Sequence, residues 1–474
     1  MTTKIMATLG PASMNYETIK ALAQAGAVIF RLNFSHSDAA SFLPIIEMIR
    51  QIERELGIPL TAMGDLCGPK TRIEEIKGSP RQVNKGETMV LGLPEEEDGA
   101  DHELLFVPLD FSSLLSGLEV GMPVTLSDGM LQFTVSRVIK KNRLYEMTAL
   151  NAGVLTSRKG ITFPGKPHPM PALTKKDIKD LHEGLDAGLN AVAISFVQTG
   201  QDMCQLCGEI RKHGMWVPVI AKVERQNSLE NLDEILALSD VVMVARGDLG
   251  LECPLPQLPI IQKRILRACR HAQKPAIVAT QMLLSMVHNP IPTRAEATDV
   301  ANAILDGADC LMLAEETAVG DHPVEAVRFM RDISDEAVKY YLERIQGPYP
   351  PKKEKNPAKY LAYAACILAD NAESKAIVSH SLSGATARLI SSRRPGLPIY
   401  SLTPDERVVH YMNFVWGVIP KLIEATEESH LARAEKFISE SPDFKPGQSA
   451  VITAGQPTPG QSERFTNEIK LYYK

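Results

Sequence analysis

The sequence predicts an α/β protein. It comprises a (β/α)8 TIM barrel, a small β-barrel lid domain inserted into it, and a C-terminal α/β domain with a mostly parallel sheet. Three observations predict this arrangement. Short apolar runs alternate with helical patterns, one interval breaks that rhythm, and the alternation resumes on a smaller scale towards the C-terminus. Eight strands with intervening helices fit a barrel better than an open sheet, which would usually have fewer strands.

The predicted barrel strands are short apolar runs enriched in β-branched residues, and helical patterns follow most of them. They span residues 4–8, 28–33, 60–65, 191–196, 217–223, 241–245, 276–280 and 310–313. The segment from Thr174 to Asp177 resembles a capping box, with Asp in place of the usual Glu or Gln, and predicts a helix start. We assign residues 1–66 and 171–345 to the barrel.

The interval 67–170 breaks the strand–helix rhythm. It is rich in Gly and Pro and contains alternating segments such as 124–126 and 131–135, with a turn signal at 127–129. These features predict a small β domain inserted after the third strand. Because barrel active sites lie at the C-terminal ends of the strands, such an insertion would cover the mouth as a lid.

The last part of the chain predicts a separate α/β domain, residues 355–474, after a Pro-rich linker that begins at Gly347. Helices are predicted at 358–371, 385–393 and 428–440. Strands are predicted at 376–380, 398–402, 417–423 and 449–454, with a closing edge strand at 469–473.

Composition restricts the classes of function. At 474 residues the chain is too long for one ordinary domain, and its net charge of −6 argues against a nucleic-acid surface, which needs a basic stripe. The seven cysteines indicate reduced thiols; Cys204 and Cys207 lie in a helical pattern without the second pair that a zinc site needs. The chain lacks an apolar signal region and any run near the roughly 20 apolar residues of a membrane span. We expect a cytoplasmic protein without nucleic-acid or membrane partners.

Reactive polar residues end several of the predicted strands, where a parallel barrel places its chemistry. Lys222 and Glu224 are two residues apart and therefore lie on one face of their strand. Gly247 lets backbone N–H groups approach an anion, and Asp248 can hold a hard cation. A lysine and two acids at one mouth predict a divalent metal and an anionic, phosphorylated substrate. The alternatives are a solvated ion pair at the first position and a loop that only turns the chain at the second.

Other strand ends carry polar residues as well. Thr280 can donate to a substrate carboxylate, although a core threonine explains it equally well. Arg31, Asn33 and Ser35 alternate along the second strand and share one face as it exits. A buried salt bridge would explain Arg31 alone, but not the two residues that follow it. Charged residues then cluster from Asp65 onwards, where the lid begins.

Two segments imitate functional motifs. Residues 160–166 match the spacing of a phosphate-binding P-loop, but Pro167 stands where the Ser or Thr for magnesium belongs. The surrounding prolines also oppose the helix that such a loop requires. The acidic run 95–98 is typical of a solvated turn in the lid rather than of a metal site.

A hydroxyl-rich loop joins a strand to a helix in the last domain. Its residues are Ser379, Ser381, Ser383, Gly384 and Thr386, which we call the serine loop. Hydroxyls and free N–H groups at a helix start form an anion pocket. With no acid or base beside it, the pocket suits binding rather than catalysis, and an ordinary serine-rich cap is the alternative.

Taken together, these segments resemble the pyruvate kinase family over essentially the whole chain. The matching segments are 3–13, 31–36, 159–165, 173–177, 195–197, 245–250, 279–282 and 289–296. This many motifs in the same order are specific for the family, whereas any one of them alone is not. The resemblance implies a barrel, a β lid, a C-terminal α/β domain and a homotetramer. The absence of a long N-terminal extension is similar to the bacterial members.

The resemblance implies phosphoryl transfer from phosphoenolpyruvate to ADP, which gives pyruvate and ATP in the final step of glycolysis. Lys222, Arg31 and Thr280 would be catalytic. Glu224 and Asp248 would hold Mg²⁺, or Mn²⁺, between the phosphoryl group and the enolate oxygen. The lysine and arginine would neutralise charge on the moving phosphoryl group.

The same resemblance implies the substrate contacts. The carboxylate of phosphoenolpyruvate would lie against Gly247, Asp248 and Thr280, and the proton donor to the enolate stays open. Arg31, His36 and Lys159 resemble nucleotide-contacting positions. Closure of the lid would exclude water and prevent wasteful hydrolysis.

One departure from the family concerns a monovalent cation. Residues matching Asn33, Ser35, Asp65 and Leu66 commonly hold K⁺, and the K⁺-activated pattern has an acidic residue where this chain has Lys70. An ammonium near the vacated position would supply the same positive charge. We therefore expect an enzyme that is independent of K⁺.

Other expectations from the resemblance concern regulation and substrate contacts. The serine loop resembles the effector pocket of the family, which implies activation by a phosphorylated metabolite. Arg225 stands in place of the usual Asn, and Ala314-Glu315 in place of Ser-Gly. Both changes lie near the mouth and affect fine substrate contacts rather than the reaction.

Two rival functions remain open from the residues. A metal-dependent aldolase or lyase acting on pyruvate enolate would explain the paired acids, but not Lys159, the lid or the last domain. A catalytically inactive metabolite sensor is the second rival. The intact set of Lys222, Glu224, Asp248 and Thr280 argues against it.

Overall fold

A closed ring of eight parallel strands forms the centre of the protein. The computed structural model describes residues 2–35, 37–69, 71–127, 129–166, 170–344, 347–352, 355–425, 429–455 and 466–474. The barrel strands are β1 (Lys4–Thr8), β2 (Ala27–Asn33), β3 (Thr61–Asp65), β12 (Ala191–Ile194), β13 (Val219–Val223), β14 (Val241–Ala245), β15 (Ala276–Ala279) and β16 (Cys310–Leu313). They close in the order β1-β16-β15-β14-β13-β12-β3-β2. The predicted barrel is confirmed, with strand limits within two residues of those expected.

Alternation along each strand divides the barrel side chains between two cores. Met6, Met63 and Met243 belong to the core inside the ring, whereas Ile5 and Val242 belong to the core between the ring and its helices. Both faces of the strands are buried, which explains why the strands read as continuous apolar runs rather than as alternating ones.

Helices surround the barrel. They are α1 (Tyr16–Ala25), α2 (Ala39–Leu56), α4 (Lys175–Asp186), α5 (Gly200–Lys212), α6 (Gln226–Glu230), α7 (Leu232–Leu238), α8 (Arg246–Glu252), α9 (Leu258–Ala272), α10 (Arg294–Leu305), α11 (Glu315–Ala318) and α12 (Pro323–Arg344), with 3-10 turns at Leu255–Gln257 and Leu284–Val287. The predicted capping box is confirmed: the Thr174 side chain accepts from the Asp177 N–H, and the Asp177 side chain accepts from the Thr174 N–H.

The insertion after β3 is a mixed β domain. It contains β4 (Arg81–Val83), β5 (Thr88–Gly92), a 3-10 turn at Pro94–Gly99, β6 (Leu105–Pro108), α3 (Ser112–Leu115), β7 (Pro123–Leu126), β8 (Leu131–Lys140), β9 (Leu144–Ala149), β10 (Gly153–Leu155) and β11 (Ile161–Thr162). We expected a small closed barrel here. The structure instead has a six-stranded sheet in the order β11-β7-β8-β9-β5-β6 and a two-stranded sheet of β10 and β4, because the short edge strands β11 and β6 do not pair with each other.

The C-terminal domain is built on a five-stranded sheet. Its elements are α13 (Pro357–Asn371), β17 (Ala376–His380), α14 (Ala385–Ser391), β18 (Ile399–Thr403), α15 (Glu406–Met412), β19 (Val418–Leu422), α16 (His430–Glu440), β20 (Ser449–Ala454) and β21 (Glu468–Tyr473). The sheet is mostly parallel, as expected, and among its described strands only β21, the predicted closing edge strand, runs antiparallel. Sequence analysis missed α15. Its start signal was Asp405, whose side chain accepts from the Arg407 N–H.

The C-terminal domain lies against the N-terminal ends of the barrel strands. The Thr61 hydroxyl at the start of β3 donates to the His410 carbonyl at 2.8 Å, and the Arg394 guanidinium pairs with Asp309, just before β16, at 3.0 Å. The core inside the barrel continues into this domain. The opposite, C-terminal ends of the strands are therefore left to the lid. The domain limits proposed from the sequence stay a prediction.

Within the described ranges, no helix has both the length and the apolar character required to cross a membrane.

Candidate active site

A cluster of four charged side chains lies at the C-terminal ends of three barrel strands. Arg31 of β2 donates from Nε to Oδ2 of Asp65 at 2.6 Å, and Lys222 Nζ of β13 lies 3.2 Å from Oδ1 of the same Asp65. Lys222 Nζ also lies 2.9 Å from Oε1 of Glu224. Both carboxylates have side chains only 1% exposed, so this charge cluster is not the solvated ion pair considered as an alternative.

Strand register brings these residues together. In the parallel pair β2–β3, Asn33 lies opposite Asp65, so both strands deliver their last residues to one edge of the ring. Lys222 and Glu224 are separated by two residues and therefore project from the same side of β13. Parallel strands in a closed barrel all end at the same rim, which is why residues distant in sequence meet there.

Two neighbours of the cluster were not predicted. The Ser195 hydroxyl accepts from Lys222 Nζ at 2.7 Å and donates to the Leu66 carbonyl at 2.7 Å. The Phe196 N–H donates to Oε2 of Glu224 at 2.7 Å. Ser195 and Phe196 follow directly after β12. The available signal was a polar residue at the end of an apolar strand, the same signal that identified the other site residues.

Burial and mutual attraction set the charge states of the cluster. Burial opposes the charge of Lys222, but Asp65 and Glu224 outweigh it and raise the pKa of the lysine. Burial also opposes ionisation of Asp65, yet Lys222 and Arg31 prevail and hold its pKa below the ordinary value. The pKa of Glu224 is raised, mainly by burial; Lys222 opposes that shift and Asp248 adds to it. The cluster thus keeps a permanently charged amine between two carboxylates.

Gly247, Asp248 and Thr280 form the other side of the mouth. The first two lie in the opening turn of α8, directly after β14. The Gly247 N–H donates to the Thr280 hydroxyl at 2.8 Å, so the backbone group expected to receive the substrate carboxylate is paired with the predicted threonine here. Thr280 has φ +71° and is only half-buried, which makes the core-threonine alternative wrong. Arg246 holds this backbone by donating to the Thr280 carbonyl at 2.7 Å.

The carboxylates fit a hard divalent cation. Glu224 and Asp248 supply the oxygen ligands that Mg²⁺ and Mn²⁺ prefer. Their repulsion contributes to the raised pKa of Glu224, and a cation between them would relieve it. In the described part of the chain, no three His, Cys, Asp or Glu side chains form a metal-binding group. A cation held by these two carboxylates would take its other ligands from substrate oxygens and water.

The residues expected to hold a monovalent cation make other contacts. The Asn33 side chain accepts from the Ser35 N–H at 3.1 Å, Asp65 is engaged by the two cations of the cluster, and the Leu66 carbonyl accepts from Ser195. Three of the four expected ligands are therefore already paired. Lys70, which bears on this question, lies outside the described residues.

The expected nucleotide contacts are only partly described. Arg31 belongs to the charge cluster. Lys159 is exposed on the lid, where its carbonyl accepts from the Ile73 N–H at 3.0 Å. His36 lies outside the described residues. That these three residues contact the nucleotide stays a prediction.

A narrow cleft of about 40 Å³ separates the lid from the barrel rim, and we call it the lid cleft. Phe196, Arg225, Asp248 and Glu252 line it from the barrel, and residues 160–163 line it from the lid. The lid packs closely on α8: a Cβ on Gly129 would come within 2.5 Å of the Leu251 side chain. Residues 160–166 contribute β11 and a lid loop rather than a helix, as expected from rejection of the P-loop.

The serine loop borders a cavity of about 350 Å³ in the C-terminal domain. Ser381, Ser383 and Thr386 line it. Ser379 is buried in the sheet instead, where its hydroxyl donates to the Tyr400 carbonyl at 3.3 Å. Gly384 has φ +68° and serves as the N-cap of α14, a conformation that favours glycine.

Two histidines in the same cavity were missed by sequence analysis. The Nδ1 atoms of His380 and His430 are 2.6 Å apart, so one ring donates to the other. Burial, followed by the influence of His430 and Arg433, lowers the pKa of His380 to about 3. His380 is therefore neutral near pH 7. The two rings meet across β17 and α16, far apart in sequence.

Comparison with known families covers most of the chain. A family model described as "Pyruvate kinase, barrel domain" matches residues 1–327. A second model, described as "Pyruvate kinase, alpha/beta domain", matches residues 359–472.

Individual relatives align over nearly the full length. A protein of Agrobacterium vitis named "Pyruvate kinase" is 39% identical over 473 residues, which cover 99% of this chain and 96% of the relative. A "Pyruvate kinase" of Methylorubrum extorquens is 37% identical and covers 99% of this chain and 97% of its own length. One from Lactobacillus delbrueckii subsp. bulgaricus is 37% identical and is covered over 80% of its length.

Proposed function

The chain belongs to the pyruvate kinase family, and from that premise we propose how its own residues transfer the phosphoryl group of phosphoenolpyruvate to ADP. The observation that carries the assignment is the Lys222 amine, held between Asp65 and Glu224 beside Arg31 at the barrel mouth. Lys222 and Arg31 bind the moving phosphoryl group and neutralise the charge that spreads over its oxygens. Asp65 orients both cations, so that little reorganisation is needed during the reaction.

Glu224 and Asp248 are the residues that would hold the divalent ion. When bound, Mg²⁺ or Mn²⁺ supplies positive charge against the phosphoryl and enolate oxygens. Glu224 is oriented for this role by the Phe196 N–H and by Lys222. The family assignment supports a divalent metal, and the two named ligands are our proposal.

Gly247, Asp248 and Thr280 would bind the carboxylate of phosphoenolpyruvate. For the Gly247 N–H to do so, it must exchange its bond to the Thr280 hydroxyl for one to the substrate. That exchange would free a lone pair of the hydroxyl, whose proton is donated to the Ala279 carbonyl at 2.6 Å. With that lone pair free, the hydroxyl would join a proton relay to the enolate. We propose that the proton arrives near Thr280, through water or a hydroxyl.

Arg31, His36 and Lys159 would contact the nucleotide. Lys159 belongs to the lid, so closure of the lid cleft would carry its amine towards the barrel mouth. Exclusion of water from the closed cleft would prevent hydrolysis of the phosphoryl donor.

A coupled assay for ATP formation tests the function. Purified protein with Mg²⁺, phosphoenolpyruvate and ADP should form ATP and pyruvate in equal amounts. An aldolase or lyase would consume an enolate substrate without forming ATP, and an inactive sensor would form neither product. Absence of ATP formation by folded protein would contradict the proposal.

We expect the rate to be independent of K⁺. Replacing K⁺ by tetramethylammonium should preserve most of the rate, because the Lys70 ammonium would supply the missing charge. The measurement is steady-state ATP formation at matched ionic strength. Lys70→Glu, which restores the acidic residue of the K⁺-activated pattern, should make the rate depend on K⁺. A large loss of rate for the unmodified protein in tetramethylammonium would refute the idea.

We also expect a phosphorylated metabolite to activate the enzyme through the serine loop cavity. Sugar phosphates and AMP should lower the KM for phosphoenolpyruvate. Ser383→Asp should weaken that response, because a carboxylate in the cavity repels a phosphate. Ser439→Asp, on an exposed position of α16, is the matched control and should keep the response. If none of these metabolites changes the KM, the cavity is not an effector site of this kind.

Two further expectations follow from the family. We propose a homotetramer, which sedimentation of the purified protein can test. We also propose a cytoplasmic location, which fits the seven free cysteines and which cell fractionation can test.

A further inference from the structure

Arg225 carries a buried charge that the roles above do not use. It follows Glu224 at the N-cap of α6 and is only 9% exposed. Its Nε atom is buried and has no hydrogen-bond partner within the described ranges. A guanidinium is charged, and burying one of its N–H donors without an acceptor is unfavourable. A charged group left in this state points to a ligand that supplies the acceptors.

The surroundings hold the guanidinium in place without pairing it. Its central carbon lies 5.0 Å from the centre of the Phe196 ring, a cation–π contact that fixes the plane of the group. Burial lowers the pKa of Arg225, while Glu252, Glu224 and Asp248 act in the opposite direction. Within the described part of the chain, Arg225 makes no ion pair with any of these acids. The acids therefore attract the charge without pairing with it, and the buried Nε donor is left without an acceptor in the described part of the chain.

Arg225 lies between the barrel mouth and the lid. It lines the lid cleft beside Phe196 and Asp248. These three residues follow β12, β13 and β14, which are neighbours in the barrel. Asp248 is the residue that we place against the carboxylate of phosphoenolpyruvate, whereas Lys159, a proposed nucleotide contact, is exposed on the lid. The position of Arg225 therefore favours the phosphoryl donor over the nucleotide.

We propose that Arg225 is a further substrate-binding residue, whose guanidinium binds an anionic group of phosphoenolpyruvate in the lid cleft. The inference rests on the proposed function, because it takes the donor substrate from there. A guanidinium matches the planar oxygen pairs of carboxylate and phosphate groups, and binding would provide the acceptors that the free protein lacks. It would also balance the acids that surround it.

The test compares Arg225→Gln, Arg225→Lys and the unmodified protein. Calorimetry with phosphoenolpyruvate and Mg²⁺, in the absence of ADP, measures donor binding directly, and steady-state assays give both KM values. For Arg225→Gln, we expect the Kd and KM for phosphoenolpyruvate to rise about 10- to 100-fold, the equivalent of lost hydrogen bonds to a charged group. The KM for ADP should change far less. Arg225→Lys should be intermediate, because it keeps the charge but loses the planar donors.

Thermal stability separates a binding role from a structural one. If the buried charge serves a ligand, Arg225→Gln without substrate should unfold at the same or a higher temperature than the unmodified protein. If Arg225 instead stabilises the fold, the same variant should unfold at a lower temperature. Glu252 is the acid with the largest electrostatic effect on Arg225, so Glu252→Gln is tested as well. If Glu252→Gln raises the Kd for phosphoenolpyruvate as much as Arg225→Gln does, Arg225 acts through Glu252.

The outcomes are distinct. Arg137→Gln, on the outer side of the lid and 67% exposed, is the matched control and should leave both KM values unchanged. An unchanged Kd for phosphoenolpyruvate in Arg225→Gln, or an equal rise in the KM for ADP, would overturn the proposal. If Arg225→Gln fails to fold, an unchanged Kd in Arg225→Lys would do the same. A lack of ATP formation by the unmodified protein would instead refute the function on which the inference rests.

Discussion

Lys222→Met is expected to reduce kcat by about 1,000-fold or more, the scale of loss seen when a preorganised charge on a transferring group is removed. Methionine keeps most of the length of the side chain and removes its charge. The amine is the group that Asp65, Glu224 and Ser195 converge on, and its raised pKa keeps it charged throughout the neutral range. ATP formation at saturating substrates is the measurement.

The same substitution should weaken the fold. Asp65 and Glu224 would remain buried after losing a shared partner, and breaking such a pair costs roughly 3–5 kcal/mol. Circular dichroism and thermal unfolding must therefore accompany the kinetics. Lys212→Met, at a position on α5 that is 71% exposed, is the matched control and should alter neither property. A folded Lys222→Met protein that retains most of its phosphoryl transfer would contradict the assigned role.

Glu224→Gln is expected to weaken divalent-metal binding by at least about 100-fold. Changing a residue that only hydrogen-bonds to a metal ligand already lowers metal affinity by about 10- to 100-fold, and loss of the ligand itself should cost more. Glutamine preserves the shape of the side chain and an acceptor for the Phe196 N–H, but removes the negative charge. Mn²⁺ binding, followed by electron paramagnetic resonance or calorimetry, measures the effect without reference to activity. The kcat should fall as well.

The pH dependence of metal binding provides a second readout. Because the pKa of Glu224 is raised, protons should compete with the metal at higher pH than for an ordinary carboxyl group. That part of the pH dependence should disappear in Glu224→Gln. Glu183→Gln on α4 is the control, since its carboxyl group lies on the outer ring of helices. Equal Mn²⁺ affinity in the two variants would rule out Glu224 as a ligand.

The barrel was accessible from sequence because its signals are local. Each strand is a short apolar run because both its faces are buried. Such a run can be recognised from its own residues, without knowing which strands pair with it. The short helix α15 was not found. Its seven residues lie between two strands, and its position depends on packing against the barrel, including the bond from Thr61 to the His410 carbonyl.

The candidate site was accessible in part, for a related reason. Lys222, Glu224 and Asp248 directly follow or end apolar runs, and in a parallel barrel every strand end reaches one rim. That rule predicts which residues lie at the rim, but not which of them contact each other. The bonds of Ser195 to Lys222 and Leu66, and the contact between His380 and His430, join residues that no local pattern connects.

The sequence by itself determined the eight strands, the insertion after the third of them and the residue types at the barrel mouth. These follow from periodicity and chain order, which depend on near neighbours along the chain. Only the tertiary structure decided that Asp65 would hold both cations, that Thr280 would engage Gly247, and that the buried Nε of Arg225 would be left without an acceptor in the described part of the chain. The reason is that the energy of a buried charge depends on every group within a few ångströms. Strand register and domain packing determine which groups those are.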